Sequence, residues 1–276
     1  MTAVPLRLIS INIWDLPIPF PGLDRTLRRE RLRARLPRQH ADLLLLQEAF
    51  LPGFRRTLLA ALADYHADAL ARAERRRWLL RFDGAGGLLT LSRWPIPSTV
   101  FQPSRHFRGM KLDERIGHKG VLWTHIASPA GPLLVGNVHL YAGTRPTDAR
   151  VRALQVRQMV QHPALDPGVP TVLAGDFNMA AEFEQPARGP TGFDVLREHG
   201  FNEVADGFSP GLLTMAPSVN RYARYLPWHR PDRRLTQVFF RGPGIRPGSE
   251  PPALCLHTPP VSDHLGLRVT FTLESD

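Results

Sequence analysis

The chain predicts a four-layer α/β sandwich, two mixed β-sheets packed face to face with helices outside. Apolar strand-like runs alternate with segments of helical spacing along most of the 276 residues. Several strands follow one another through short turns, which makes them antiparallel neighbours and argues against a purely parallel sheet. Leu43 to Phe50, Gly136 to Leu140 with Thr171 to Asn178, and Val261 to Leu265 all stop in acidic, amide or imidazole side chains. Apolar runs bury inside a packed sheet, so polar groups appearing where they stop belong to strand ends and can face a single cleft.

The first strand is expected over Leu6 to Trp14, where apolar and polar residues alternate. Leu27 to Leu36 places apolar residues at helical spacing in an arginine-rich stretch, and Asp42 to Glu48 follows as a strand too continuously apolar for the surface. A helix is expected at Phe54 to Ala63. Gly86 to Ser92 and Ile96 to Phe101 read as paired strands joined at Arg93 to Pro95. Gly120 to Ala127 pairs with Leu133 to Leu140 across the turn formers Ser128-Pro129-Ala130-Gly131-Pro132. The helix Thr147 to Gln161, with Val151, Leu154, Val156 and Val160, precedes the buried strand Val169 to Ala174. A short helix near Val195 to Glu198, a long loop from about Phe208 to Arg233, and strands Leu235 to Phe240 and Leu265 to Leu273 complete the chain. Pro17 to Pro21 and Gly242 to Pro252 read as loops. Without repeats or a break in composition, one domain over residues 1–276 is expected.

The formal net charge is +10, and Lys111 and Lys119 are the only lysines beside many arginines. That excess is spread over the helices, so it fits a solvated surface or an anionic partner, membrane or nucleic acid, and names no substrate. The single Cys255 excludes an intrachain disulfide framework and a cysteine zinc cluster, and reads as a small core residue. The opening MTAVPLRLISINIW goes straight into a strand without a leader pattern. No run approaches the ~18 apolar residues of a membrane span. A cytoplasmic location is the expectation.

Glu48 closes the run LLLLQE at the mouth of a sheet. A hard divalent ion such as Mg2+ takes oxygen ligands, usually one or two carboxylates plus water and substrate phosphate. A helix-start or loop carboxylate is the alternative. Asp176 and Asn178 in GDFN, on an extended segment, would point to one side with Phe177 turned into the core. Such a pair could hold an attacking water and a phosphate oxygen, or form a plain Asx turn. Asn12 faces one side of the first strand, where asparagine is poorly favoured. Asp263 and His264 precede the last strand, and histidine suits proton transfer near neutral pH. His139 in NVHL would be a second imidazole, able as a cation to stabilise developing charge on phosphorus. With 11 histidines in the chain, the company of amides and carboxylates singles these two out.

Asn12, Gln47-Glu48, Asn137 to Leu140, Gly175 to Asn178 and Ser262 to His264 stand in an order and spacing that resemble the endonuclease/exonuclease/phosphatase superfamily, the DNase I-like fold. Further segments look like its neutral sphingomyelinase branch: Asn12, Trp14 and Pro17 in NIWDLP, GLLTLSRWPI at Gly87 to Ile96, His118-Lys119-Gly120, and Thr214-Met215 with Pro217, Asn220 and Tyr222. The resemblance implies a metal-dependent phosphodiesterase. Glu48 would hold Mg2+, a role also open to Mn2+ or another divalent cation, with Asn12 and Asp263 as further ligand candidates. Asp176, Asn178, His139, His264, Asp263 and Asn12 would surround the scissile phosphate, and Lys119, Trp14 and Tyr141 would bind substrate.

One position departs from the pattern. The family carries an Asp-Tyr pair in a strand resembling Arg-Ile-Asp-Tyr-Val-Phe, whose aspartate orients the last histidine. The matching segment here, Arg234 to Phe239, places Thr236 at that aspartate. A threonine can accept a hydrogen bond from the His264 ring but brings no charge. Losing an orienting aspartate in a hydrolase triad lowers the rate about 10⁴-fold, so a slowed enzyme, or a phosphate- or lipid-binding protein without turnover, competes with the active reading. Asp232 lies four residues away, roughly 13 Å along an extended chain, and is a poor substitute.

Trp14 to Pro21 and Tyr222 to Trp228 are apolar-aromatic loops expected to border the cleft. Exposed, they would insert into a lipid interface or stack on a nucleobase. A phospholipid head group with peripheral membrane contact is the favoured substrate reading. A nuclease is the alternative, weakened by the lack of a clustered basic stripe or a nucleic-acid motif.

Overall fold

The computed structural model describes residues 3–16, 23–68, 85–107, 110–111, 114–115, 117–181, 184, 189–205, 211–225 and 231–275. Among them the first sheet holds β1 (Ala3–Asp15), β2 (Leu43–Ala49), β3 (His66–Ala67), β4 (Leu89–Ser92), β11 (Ile245–Pro247), β12 (Ala253–Cys255) and β13 (Gly266–Glu274). Its order is β11-β13-β1-β2-β4-β3, with β12 also on β13. The second sheet, in order β5-β6-β7-β8-β10-β9, holds β5 (Ser98–Pro103), β6 (Gly120–Ser128), β7 (Gly131–His139), β8 (Thr171–Asp176), β9 (Asn202–Glu203) and β10 (Thr236–Arg241). The described helices are α1 (Arg25–Arg35), α2 (Pro52–Ala61), α3 (Pro146–Val160), α4 (Gly192–Glu198) and the single turn α5 (Arg221–Arg224).

Each sheet is antiparallel except for one parallel pair, β1 with β2 and β7 with β8. Successive strand residues point to opposite faces, so the two faces can be read directly from the sequence. One face of each sheet meets the other sheet: Leu6, Leu8, Leu43 and Leu45 pack against Val135, Val172, Ala174 and Val238 in a shared core. The opposite faces carry the helices. Ile9, Ile11, Leu44 and Leu46 pack on Leu32 of α1 and on Phe54 and Leu58 of α2. Leu134, Val138 and Leu173 pack on Val156 and Met159 of α3 and Val195 of α4. The expected four layers, helix, sheet, sheet, helix, are therefore present.

The inter-sheet face changes character along its length. From one end to the other it reads Leu6, Leu8, Ser10, Asn12 on β1, Leu43, Leu45, Gln47 on β2, Leu133, Val135, Asn137, His139 on β7, and Val172, Ala174, Asp176 on β8. The two parallel pairs end at the same side, so their polar residues gather there. Gln47 closes the transition by donating to Asn137 Oδ1 at 2.8 Å and to Ser10 Oγ at 3.2 Å, while Asn137 donates to the carbonyls of Leu46 and Leu89 at 3.1 Å. Buried amides satisfied in this way avoid the penalty of an unpaired polar group.

The structure corrects one strand pairing. Gly86 to Ser92 and Ile96 to Phe101 do not pair with each other: β4 lies on β2 and β3, and β5 on β6 in the other sheet. The chain crosses between sheets at Trp94, which packs into the shared core, and Pro95, whose carbonyl accepts from Ala127 N at 3.0 Å. The short strands β3, β9, β11 and β12 were not expected. The stretch Gly242 to Pro252, read as a loop, contains β11. The long loop from Phe208 to Arg233 contains α5 and a bridge of Met215 to both Arg233 and His264, while its residues 208–210 and 226–230 lie outside the described residues, as do 17–21 of the proline-rich loop. Cys255 is a core residue, its thiol pushed up to about 12 by burial.

Gly175 sets the close approach of β8 to β7. A Cβ there would sit 2.0 Å from the Val138 carbonyl oxygen, and its φ of 155° is one that side-chain-bearing residues rarely adopt. We predict that Gly175→Ala lowers stability by about 3 kcal/mol or more. Urea denaturation checks it, and an unchanged midpoint would contradict this reading of the strand pair.

Candidate active site

Three backbone irregularities build the cleft at the polar end of the inter-sheet core. Strict alternation would turn Glu48, one residue after the inward Gln47, toward the helices. Instead Glu48 has φ 56°, and its Oε1 accepts a hydrogen bond from Asn12 Nδ2 at 2.9 Å. On β1 the register shifts after Asn12, with Trp14 at φ 52°. After β8, Asn178 stands at φ 52°. Left-handed conformations of residues other than glycine each cost about 1–3 kcal/mol and concentrate at functional sites.

The amide of Asn12 ties two carboxylates together, donating to Glu48 and, at 3.0 Å, to Asp176 Oδ2. His139 Nε2 lies 3.6 Å from Asp176 Oδ2 and 3.8 Å from Glu48 Oε1. His264 Nε2 lies 3.7 Å from the same Asp176 oxygen. These distances exceed a hydrogen bond, so the imidazoles frame Asp176 without being bound to it. Asp176 Oδ1 accepts from Asn178 N at 3.1 Å.

The electrostatics follow from burial. Glu48 is pushed up to about 7, first by burial and next by the field of Asp263, with Lys119, Asn12 and His264 opposing. Burial alone would depress the Lys119 ammonium, but Glu114, Glu48 and Asp176 outweigh it and hold it above its ordinary value. Burial, then Lys119 and His264, press His139 well below the ordinary imidazole value.

Several expected roles change in this light. Burial, Lys119 and His264 disfavour the cationic form of His139, and the neutral ring still carries one N–H donor. Asn12 accepts from Trp14 N through Oδ1 at 3.0 Å. That contact sets the amide with its nitrogen toward the carboxylates, where it donates to both Glu48 and Asp176. Asp263 Oδ1 accepts from Ser262 Oγ at 3.0 Å and His264 N at 3.1 Å; among the described residues it makes no hydrogen bond or ion pair with Glu48 or Asn12. It acts on Glu48 through its field and shapes the turn carrying His264. Asp176 and Asn178 form an Asx turn rather than a continued strand, and Asn178 Nδ2 donates to Leu140 O at 3.0 Å, while Phe177 points into the core as expected.

The substrate-binding candidates divide. Lys119 stands in the cleft, paired with Glu114 Oε2 at 2.7 Å. Tyr141 is 0% exposed and its N–H donates to Gln155, so it belongs to the scaffold. Trp14 is buried as well, packed with Leu23 and Tyr222 and lying 4.9 Å beneath the Arg28 guanidinium. An indole covered in this way is closed to lipid or base stacking.

Thr236 pairs with Asp176 across β8 and β10. Its expected hydrogen bond to the His264 ring is not made: Thr236 Oγ1 and His264 Nδ1 are both buried and without a hydrogen-bond partner. Asp232 is no substitute, since it caps Ser218 N at 3.0 Å.

Two contributors escaped sequence reasoning. Arg28, buried on α1, donates to the carbonyls of Leu23, Ile13 and Trp14 at 3.0, 3.2 and 3.3 Å, and so holds the bend of β1 after Asn12. Its spacing from Leu32, four residues on, is the signal that would have placed it on the buried face. Glu114 ties Lys119 to the next loop by also accepting from Ala142 N at 3.0 Å. Nothing in its neighbourhood in the sequence marks it.

Among the described residues no three His, Cys, Asp or Glu side chains form a metal-binding group. The residues present nevertheless fit a hard cation that keeps much of its water. Glu48 Oε2 is buried with no partner, and burial followed by the field of Asp263 lifts the Glu48 carboxyl to about 7.

Comparison with solved structures matches this geometry to known folds. The staphylococcal beta toxin variant 275-280 from Staphylococcus aureus superposes with a TM-score of 0.71 at 18% identity, covering 96% of this chain and 99% of that one. Sphingomyelinase C from Streptomyces griseocarneus gives 0.67 at 19%, covering 97% and 99%. TDP2 of D. rerio, in complex with a single-strand DNA product, gives 0.69 at 18%, covering 97% and 98%. The two helix-flanked mixed sheets are those of the DNase I-like fold. No curated protein matches the sequence. The sequence profile of the Endonuclease/Exonuclease/phosphatase family matches residues 9–264, nearly the whole chain, and the chain belongs to that family.

Proposed function

We propose that this chain is a magnesium-dependent phosphodiesterase that hydrolyses a phospholipid head group or a related small phosphodiester by in-line attack of water on phosphorus. The observation that carries it is the gathering of Asn12, His139 and His264 around two linked carboxylates, the buried Asp176 and the part-buried Glu48. Beta toxin has been crystallised with bound magnesium ions, which supports the choice of metal.

Glu48 would hold the cation, and the bound ion would supply charge stabilisation at the phosphoryl oxygens. Asp176 is placed to orient and deprotonate the attacking water, since its Oδ2 faces both imidazoles and its Oδ1 is fixed by Asn178 N. Asn12 keeps the two carboxylates aligned. His139 donates a neutral N–H to an equatorial oxygen, and Lys119 adds a point charge. His264, whose Nε2 is 3.7 Å from Asp176 Oδ2, would pass a proton to the leaving oxygen.

The lipid reading draws support from the segment around α5. Val219 and Tyr225 are 74% and 52% exposed, with the exposed Arg221 between them. The same segment is fastened to the catalytic turn: Asn220 Nδ2 donates to Ser262 O at 2.9 Å and Asp263 O at 2.8 Å. Apolar tips beside a cation suit a membrane interface. A nuclease is the second reading, favoured by the net charge of +10 and the likeness to TDP2 bound to DNA. Release of phosphocholine from sphingomyelin and nicking of plasmid DNA, compared with magnesium and with chelator, separate the two. We expect magnesium-dependent release from the lipid and little nicking. DNA cleavage without lipid turnover would reverse the assignment. A non-catalytic binding protein, suggested by Thr236, would show neither reaction while still taking up magnesium in calorimetry.

Glu48→Gln should lower magnesium-dependent turnover by about 10²-fold or more while preserving the fold; wild-type turnover would remove Glu48 from the site. The same variant tests the charge balance. A carboxyl raised from 4.5 to about 7 contributes stability that is fully present below about pH 4.5 and is lost as pH rises through about 7. In chelator, Glu48→Gln is therefore expected to raise stability at about pH 8, by an amount on the order of 1–3 kcal/mol, and to change it little at about pH 4.5. Equal effects at both pH values would contradict the burial of an uncompensated charge.

An aspartate carries its oxygens one bond further than threonine, and the His264 Nδ1 that the hydroxyl leaves unpaired would be their hydrogen-bond partner. Thr236→Asp is expected to raise turnover about tenfold or more and to shift the basic limb of the pH–rate profile upward, because a carboxylate stabilises the imidazolium. An unchanged rate and profile, with activity still lost in His264→Ala, would assign the orienting role to another acceptor.

A further inference from the structure

A second polar groove lies on the other face of the second sheet. Its volume is about 350 Å³, and it runs between the segment after β5 and the last turns of α3. Gln102 and Arg105 line one wall, and Arg157, Gln158, Gln161 and His162 the other; none of its lining residues is acidic. The walls are stapled together in advance. Gln158 accepts from Arg105 N at 2.8 Å and donates to Pro103 O at 3.0 Å, and Gln102 donates to Gln158 O at 3.1 Å. Side-chain amides that bind backbone on both walls fix the width of the groove without using the guanidinium groups.

The remaining donors have no acid beside them. Arg105 and Arg157 are exposed side chains lining the groove, and among the described residues neither guanidinium makes an ion pair or a side-chain hydrogen bond. Arg157 in the last turn of α3 also complements the helix dipole, but Arg105 has no such structural task. His162 is held flat against Trp123, ring centroids 5.2 Å apart and planes within 19°. Its Nδ1 accepts from Ala164 N at 3.2 Å. A backbone N–H can only donate, so in the neutral ring the proton sits on Nε2, which is left as a donor. Two forked guanidiniums and an oriented imidazole N–H, with no competing acid, match the oxygens of a phosphate.

We propose that this groove is a phosphate-binding site, separate from the catalytic cleft, that takes the phosphate group of an anionic lipid head or of a free phosphate ester through Arg105, Arg157 and His162. It is close to the reaction centre in the chain but not continuous with it: Ser104 N donates to Lys119 O at 2.9 Å, yet the groove is on the helix side of the sheet and Lys119 faces the cleft. The assignment is independent of the phosphodiesterase reading.

The ring ¹H–¹⁵N signals of His162 in the full, metal-free chain report the site locally, with their assignment made by their loss in His162→Gln. Titration with inorganic phosphate should move them saturably, and sodium chloride of matched ionic strength should not. Arg105→Ala combined with Arg157→Ala should raise the half-saturating phosphate concentration about tenfold, and the corresponding double lysine variant should fall between. Vesicles of phosphatidylcholine with phosphatidic acid distinguish the sources. If they move the same signals and pure phosphatidylcholine does not, the ligand is a lipid head; if inorganic phosphate alone does, it is a soluble phosphate. An equal response to chloride, no saturable response, or an unchanged midpoint in the double alanine variant would overturn the site.

Discussion

Everything in the cleft turns on a carboxylate with a buried oxygen whose charge the protein alone does not neutralise. Glu48 and Asp176 share one amide donor, Asn12 Nδ2, and the surrounding imidazoles stay beyond hydrogen-bond distance. A carboxylate taken out of water is unfavourable unless it is paired, and Lys119, the cation within reach, is already paired with Glu114. The consequence is a Glu48 carboxyl lifted to about 7. A hard cation would relieve that state, since its charge would stabilise the ionised form of Glu48 that burial disfavours.

The scaffold accepts this because its irregularities are held in place from outside the cleft. Arg28 binds three carbonyls around the bend of β1 and lies over Trp14, so the turn after Asn12 is set by a charged group in the helix layer. On the other side Arg152 on α3 donates to Glu184 through Nε at 2.7 Å and to Gly143 O at 2.8 Å. It thereby clamps the loop after His139 to the loop after Asn178. Buried ion pairs of this kind add little net stability, but removing one partner leaves an unpaired charge, and the loops they join would lose their fixed relation.

The layers and most elements were legible in the sequence because apolar periodicity reports burial directly. The strand ends were legible for the same reason: Asn12, Glu48, His139 and Asp176 interrupt apolar runs, and the two parallel pairs bring those interruptions together. What the sequence hid is set by the backbone between elements. The crossing at Trp94 and Pro95 resembles a hairpin turn locally, and only the choice of partner sheet distinguishes the two. Trp14 and Tyr141 are covered by other elements, Trp14 beneath Arg28 of α1 and the Tyr141 backbone held by Gln155 of α3. The direction of the Asn12 amide depends on a single backbone N–H, from Trp14. Thr236 was legible as a departure, but that its hydroxyl and the His264 Nδ1 are both left without a partner depends on how the two strands pack.

The central claim, that the unpaired oxygen of Glu48 marks a cation site, is most directly tested by an anomalous difference map from crystals soaked in manganese, a magnesium substitute with strong anomalous scattering. The account predicts a peak beside Glu48 at an oxygen-ligand distance of about 2.0–2.2 Å, with water completing its coordination, and no such peak in Glu48→Gln. A peak of the same height in the variant, or none beside Glu48 in the wild type, would contradict it.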